Sequence, residues 1–215
     1  MPLRFWLARR PKLREAIRGL FARVVHSWYR KQARAAGHNN PQFGGVCFAQ
    51  LFGSSLNLNL HFHLLQLDGY YAWDEELARP LFHATAPPTT ADVERPRTAW
   101  LWAFEQAARS ASCGWGAGGS GRERKLPPLC AEAAYFNLHA GVRVRAQDRT
   151  ALERLCRYVA RPPLSHARLT RHVDGDIALA LKTPWSDGTS HVLLSELELV
   201  EKLAALVPTP DARAM

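Results

Sequence analysis

The stretch from Leu56 to Leu67, LNLNLHFHLLQL, constrains the fold more than any other because polar and apolar residues alternate along it. Successive side chains of a β-strand point to opposite faces, so a strand here carries Asn57, Asn59, His61 and His63 on one face. Leu56, Leu58, Leu60, Phe62 and Leu64 take the other. Asn and His are costly to bury without partners. The polar face is therefore expected to line a cleft, and the apolar face to pack into the core. Positions two apart on a strand have Cα atoms roughly 6.6–6.8 Å apart, close enough for two imidazoles to converge on one divalent cation. His61 and His63 are thus candidate metal ligands, although His-apolar-His triplets also occur in strands that bind nothing.

With 215 residues and 47% hydrophobic content the chain can bury a substantial core, which excludes wholesale disorder. Its 28 Lys and Arg against 19 Asp and Glu give a net charge of +9. Most of the excess is Arg, whose planar guanidinium grips phosphate in bidentate fashion, so nucleic acid is the leading partner class. Cys47, Cys113, Cys130 and Cys156 are scattered, without the paired spacing of a zinc ribbon or the density of a disulfide scaffold. A reduced, cytoplasmic protein is expected. No stretch approaches the roughly 18–20 apolar residues of a membrane span, so no membrane partner is expected.

Helical spacing of Leu13, Ile17, Leu20, Phe21, Val24 and Trp28 predicts an amphipathic helix over Pro11 to Ala36, stopped by Gly37. Gly45 to Gln50 reads as a strand, and Phe52-Gly53-Ser54-Ser55 as a turn into the His-bearing strand. The two strands would form an antiparallel pair ending near Asp68-Gly69. An irregular insertion follows at about 73–129, with a helix from about Thr98 to Ser110 and a Gly-rich segment from Gly114 to Gly121. Asn137 to Arg145 alternates, with Asn137, His139, Arg143 and Arg145 on one cationic face. Asp148 can cap a helix running to about Arg161, stopped by Pro162-Pro163. Leu169 to Val173, Ile177 to Lys182 and Thr189 to Leu194 read as a meander turning at Asp174-Gly175 and Asp187-Gly188. Ser195 and Glu198 have the spacing of a capping box for a last helix through about Leu206.

On the Asp148–Arg161 helix, Leu152, Leu155, Cys156 and Val159 define the expected buried stripe. Tyr158 falls about 110° from its centre at 100° per residue, on the shoulder of the helix. Arg154, Arg157 and Arg161 occupy the outward side. A phenol beside guanidinium groups, together with a His pair that holds a metal, suits phosphodiester transfer. The phenolate attacks phosphorus while the metal offsets charge on the phosphate oxygens. With an ordinary pKa near 10, the phenol needs a cationic setting to become nucleophilic.

Three blocks carry a family resemblance. The first is Phe48-Ala49-Gln50-Leu51-Phe52-Gly53-Ser54-Ser55-Leu56-Asn57-Leu58-Asn59-Leu60-His61-Phe62-His63, then Leu67-Asp68-Gly69. The second is Phe136-Asn137-Leu138-His139-Ala140 followed by Leu152-Glu153-Arg154-Leu155-Cys156-Arg157-Tyr158-Val159-Ala160-Arg161-Pro162-Pro163-Leu164. The third begins at Leu181-Lys182-Thr183-Pro184-Trp185 and continues through the last helix to Val207-Pro208. In this order they resemble the HUH-type transposases of rolling-circle insertion sequences and common-region elements, over residues 2–208 and most weakly between Trp73 and Gly121.

The resemblance implies an α/β (α+β) sandwich with a central antiparallel sheet flanked by helices, a catalytic domain over residues 1–208 and a tail over 209–215. It implies His61 and His63 as ligands of Mg²⁺ or Mn²⁺, Tyr158 as the nicking tyrosine, and single-stranded DNA at transposon ends as substrate. For the third ligand, Gln50 on the neighbouring strand is preferred and His139 is the rival. Asn57 could equally orient the His side chains. Asn57, Asn59, Arg143, Arg154, Arg157 and Arg161 are the expected DNA contacts. Where two-tyrosine relatives carry a second Tyr, this chain has Arg154. Relatives also have a cysteine-rich zinc-binding domain before this region and continue beyond Val207-Pro208. The alternative expectation is accordingly a truncated remnant that binds DNA without cutting it. A zinc hydrolase is disfavoured because neither an acidic ligand nor an H-E-x-x-H helix accompanies the His pair.

Overall fold

The computed structural model describes residues 7–95, 126–133 and 136–207. The expected helix over 98–110 and the Gly-rich segment over 114–121 lie outside the described residues. The chain is an α+β protein with antiparallel pairing. Its elements are α1 (Pro11–Ala35), β1 (Gly45–Phe52), β2 (Leu58–Gln66), β3 (Gly69–Asp74), β4 (Arg79–Ala84), α2 (Thr90–Glu94), β5 (Cys130–Ala133), β6 (Phe136–His139), α3 (Arg149–Val159), β7 (Leu169–Arg171), β8 (Ile177–Ala180), β9 (His191–Leu194) and α4 (Glu196–Ala204). Among the described residues the strands pair as β1-β2, β3-β4, β5-β6 and β7-β8-β9.

Two compact units are built from these elements. The first comprises residues 1–14, 48–63 and 150–215. Its core is Leu56, Leu179 and Leu194, with Leu164, Leu169, Val192, Leu199, Leu203 and Leu206 packed against them. Pairing explains the cluster: Leu179 faces Leu169 on β7 and Val192 on β9, while Ile177 faces Leu194. Leu199 and Leu203 recur at helical spacing, so α4 lays one stripe against this core, which Leu206 continues just past the helix end. The capping box forms as expected, with Ser195 accepting from the Glu198 amide and Glu198 accepting from the Ser195 amide. Both meander turns place glycine at positive φ, Gly175 at 91° and Gly188 at 87°, which is why a side chain is absent there.

The second unit comprises residues 15–47 and 64–149. Ala33, Tyr70 and Ala72 form its core, with Phe43 against them. Helix α1 ends as expected at Gly37, in a Schellman motif: His38 N–H donates to Ala33 O and Gly37 N–H to Arg34 O. Its buried face is not the single expected stripe. Leu13 and Ile17 are buried near the start, but Tyr29 and Ala33 near the end, while Leu20, Phe21, Val24 and Trp28 are only half-buried. Sixteen positions at 100° each turn the helix by about 160°, so its two ends bury nearly opposite faces.

Two strand expectations need correction. The alternation from Asn137 to Arg145 yields a strand only to His139, because its partner β5 ends at Cys130, opposite His139. Leu129, at φ 58°, turns the chain away immediately before, and a strand lasts only as long as its partner. In β2 the apolar face is not simply core: all nine residues are half-buried. Of that face only Leu56 is fully buried, and it lies in the turn ahead of the strand. The hairpin is flanked by Gly53 N–H to Asn57 O at one end and Leu67 N–H to Gly44 O at the other. Between those pairs β1 has 8 residues and β2 has 9. One extra residue on β2 is the count that a β-bulge produces.

Leu179→Ala, at 0% exposure in the first core, is expected to cost about 2–5 kcal/mol of folding free energy. Val173→Ala, at 98% exposure, should stay within about 0.5 kcal/mol. Urea denaturation of both variants checks the pair.

Candidate active site

The His pair sits on a hairpin whose turn is closed by its own polar groups. Asn57 Oδ1 accepts from Ser55 Oγ at 2.9 Å, and Asn57 O accepts from Gly53 N–H at 2.9 Å. A Cβ on Gly53 would run into the Asn57 side-chain amide, so a larger residue there would have to displace Asn57 from its bond to Ser55. Leu56 adopts φ 57°, a conformation unfavourable for a bulky residue. Burial of its side chain against Leu179 and Leu194 offsets that cost. Arg168 ties the turn down, donating to Ser54 O and, at 2.8 Å, to Ala180 O. Asn57 thus stands immediately ahead of β2, with its side-chain amide engaged by Ser55.

Beyond the turn, the His61 and His63 rings lie 4.9 Å apart between centroids and nearly perpendicular. His61 Nδ1 is 2.7 Å from the backbone oxygen of Asn59. A carbonyl only accepts, so that nitrogen carries the proton and Nε2 presents the lone pair, the arrangement second-shell bonds impose on metal-binding histidines. His63 Nε2 is buried without a hydrogen-bond partner among the described residues. Burial, then His61, then Arg161 hold the His63 pKa below the ordinary histidine value. Its ring is therefore neutral at pH 7, as a ligand must be.

Gln50 is the one buried polar side chain of the described core, 4% exposed. Its Nε2 donates to Val159 O at 2.6 Å. Because the carbonyl can only accept, the amide orientation is determined, and Oε1 is left buried without a partner among the described residues. Among the described residues no three His, Cys, Asp or Glu side chains form a metal-holding group. Imidazole nitrogens and an amide oxygen are nonetheless donors of a kind that divalent cations accept. His139, the rival third ligand, lies exposed on β6 of the second unit.

The same Val159 that accepts from Gln50 is the buried end of α3. Leu152 and Leu155 are half-buried, but Cys156, expected in the stripe, is exposed. Removing Cys156 turns the centre of the stripe toward Tyr158, from about 110° away to roughly 90° at 100° per residue. Tyr158 stands 49% exposed, with its ring 5.5 Å from that of His63 in an edge-to-face contact. Arg161 Cζ lies 4.5 Å from the Tyr158 ring centroid, and Lys182 Nζ 5.9 Å.

Arg161 departs from its expected outward position. Helix α3 ends at Val159, and Pro162 disfavours helical backbone at the residue before it. Helical phase therefore no longer applies at Arg161, and its side chain is half-buried over the phenol. Arg154 and Arg157 do lie exposed on α3, with Arg157 paired to Glu153 at 2.7 Å. Asn59 contributes its backbone oxygen to His61. Arg143 belongs to the second unit and pairs with Asp68 at 2.6 Å. Residue reasoning missed Lys182 and Arg168. Their only signal was a cation just before β7 and another just past β8.

Protonation of His63 opposes folding. Its contribution to stability is full above the unfolded value near 6.5 and is drawn down as pH falls toward the lowered folded value. In NMR titrations the His63 ring should titrate below 6.5, and Arg161→Gln should move its midpoint upward. Gln50→Leu strands the Val159 carbonyl without a donor and should cost about 1–3 kcal/mol, read by urea denaturation.

Neither a curated protein nor a solved structure matches the chain. The family described as "Putative transposase" matches residues 44–215, a span that takes in Gln50, both histidines, Tyr158 and Lys182. The chain therefore belongs to this transposase family.

Proposed function

We propose that this chain is an HUH-type transposase that nicks and rejoins single-stranded DNA, with Tyr158 as nucleophile. The observation that carries this reading is the half-exposed Tyr158 ring, 5.5 Å from His63 and 4.5 Å from the Arg161 guanidinium carbon. His61 Nε2, His63 Nε2 and Gln50 Oε1 are the groups that would hold the metal, Mg²⁺ or Mn²⁺. When bound, the cation supplies charge neutralisation on a phosphate oxygen. All three donors are neutral, so they leave the positive charge of the ion undiminished for the phosphate.

The Tyr158 oxygen attacks phosphorus as its proton departs to solvent. The bond from phosphorus to the 3′-oxygen breaks, and that oxygen leaves protonated as a 3′-hydroxyl. A 5′-phosphotyrosyl link remains, and attack by another 3′-hydroxyl reverses the exchange and rejoins DNA without further energy input. Arg161 lowers the cost of negative charge on the phenol and on the phosphate beside it. The exposure of Arg154 and Arg157 on α3 supports a role for them in contacting the DNA backbone, where such contacts position the strand without reading its sequence.

Labelled single-stranded DNA from transposon ends, incubated with protein and Mg²⁺ or Mn²⁺, should give a covalent adduct that resists denaturation. Tyr158→Phe should abolish it, and His61→Ala or His63→Ala should reduce it at least 100-fold. Adduct formation by Tyr158→Phe at the wild-type level would remove this tyrosine from the mechanism. Binding without any cleavage, unaffected by chelator, would instead mark a DNA-binding remnant.

A further inference from the structure

Two cations lie at Tyr158 and a third lies near them, with no ion-pair partner among the described residues. Arg161 and Lys182 both lie over its ring. Arg168 is close enough that Arg161 depresses its pKa, after burial, and both arginines depress that of Lys182, again after burial. Among the described residues, the ion pairs involve Arg18, Arg95, Arg143, Arg157 and Arg171, and none of these three. Arg168 spends its donors on the carbonyls of Ala180 and Ser54, so its role is to hold the turn. Arg161 Nε is buried with no acceptor among the described residues, which costs free energy. Lys182 stands exposed just past β8, beyond the Leu181 N–H bond to Ser190 O, with its ammonium free to meet a ligand. Convergent like charges and an orphaned guanidinium N–H are both relieved by one oxyanion placed between them.

We infer that Lys182 and Arg161 form a phosphate-binding site at the face of Tyr158, in which Arg161 donates from its buried edge and Lys182 closes the site from solvent. The inference rests on the proposed nicking reaction only for the identity of its natural ligand, a phosphodiester of single-stranded DNA. The site itself requires neither DNA nor metal. Lys182 is then the residue that sets where the phosphate sits relative to the phenol, a role that helical reading of α3 cannot reveal because Lys182 comes from another element.

Inorganic phosphate is the probe, titrated into the metal-free full chain at low ionic strength and followed by NMR shifts at Tyr158 and Arg161. Lys182→Gln should weaken phosphate binding at least tenfold, Lys182→Arg should retain it, and Arg171→Gln, which removes an exposed cation paired with Glu196, should leave it unchanged. Equal weakening by Arg171→Gln would reduce the effect to net charge and overturn the site. So would wild-type binding by Lys182→Gln. If phosphate binding depends on Lys182 but no covalent DNA adduct ever forms, the nicking reaction fails while the site stands. If the adduct forms and Lys182→Gln changes neither phosphate affinity nor the KM for DNA, the site fails while the reaction stands.

Discussion

One hydrogen bond, from Gln50 Nε2 to the carbonyl oxygen of Val159, joins the hairpin to the end of helix α3 across 109 positions of sequence. Val159 is followed within three residues by Pro162, so its carbonyl sits where a helix runs out of its own donors. A buried acceptor there needs an outside N–H, and the amide supplies it. The neighbouring Tyr158 is thereby held against His63. The bond also orients Gln50, leaving its oxygen buried without a partner among the described residues. One contact thus serves helix termination, the placement of Tyr158 and the orientation of the Gln50 amide.

The supports of the His pair are local in a different sense. The turn from Gly53 to Asn57 is closed by its own hydrogen bonds and anchored by Leu56, whose unfavourable backbone conformation persists because its side chain fills the core with Leu179 and Leu194. Arg168 adds the tie from the meander to the turn. The meander therefore does more than fill space: it holds the hairpin tip and contributes Lys182 to the face of the phenol.

Elements with strong local signals were readable from residue order. Helix α1 and its Gly37 stop, the two Asp-Gly turns and the Ser195 capping box each depend on neighbouring residues alone, and each formed where those residues stand. Expectations that extended a period beyond its element did not hold. Arg161 left the helical phase because a proline follows it, the strand after His139 stopped because its partner stopped, and Cys156 left the stripe because α3 rests on a narrower face. The alternation in β2 was correct for placing His61 and His63 together, yet all nine residues of the strand are half-buried, without a contrast between a buried and an exposed face.

By itself the sequence determined the alternating His strand, the amphipathic helix that carries Tyr158, the basic balance and the likeness to transposases, because each is a matter of neighbours or of motif order. Only the tertiary structure decided that Tyr158 meets His63, that Gln50 turns its amide nitrogen to Val159, and that Lys182 joins Arg161 at the phenol. Those contacts link residues distant in the chain, and their geometry depends on packing around Leu56, Leu179 and Leu194, which no local period encodes.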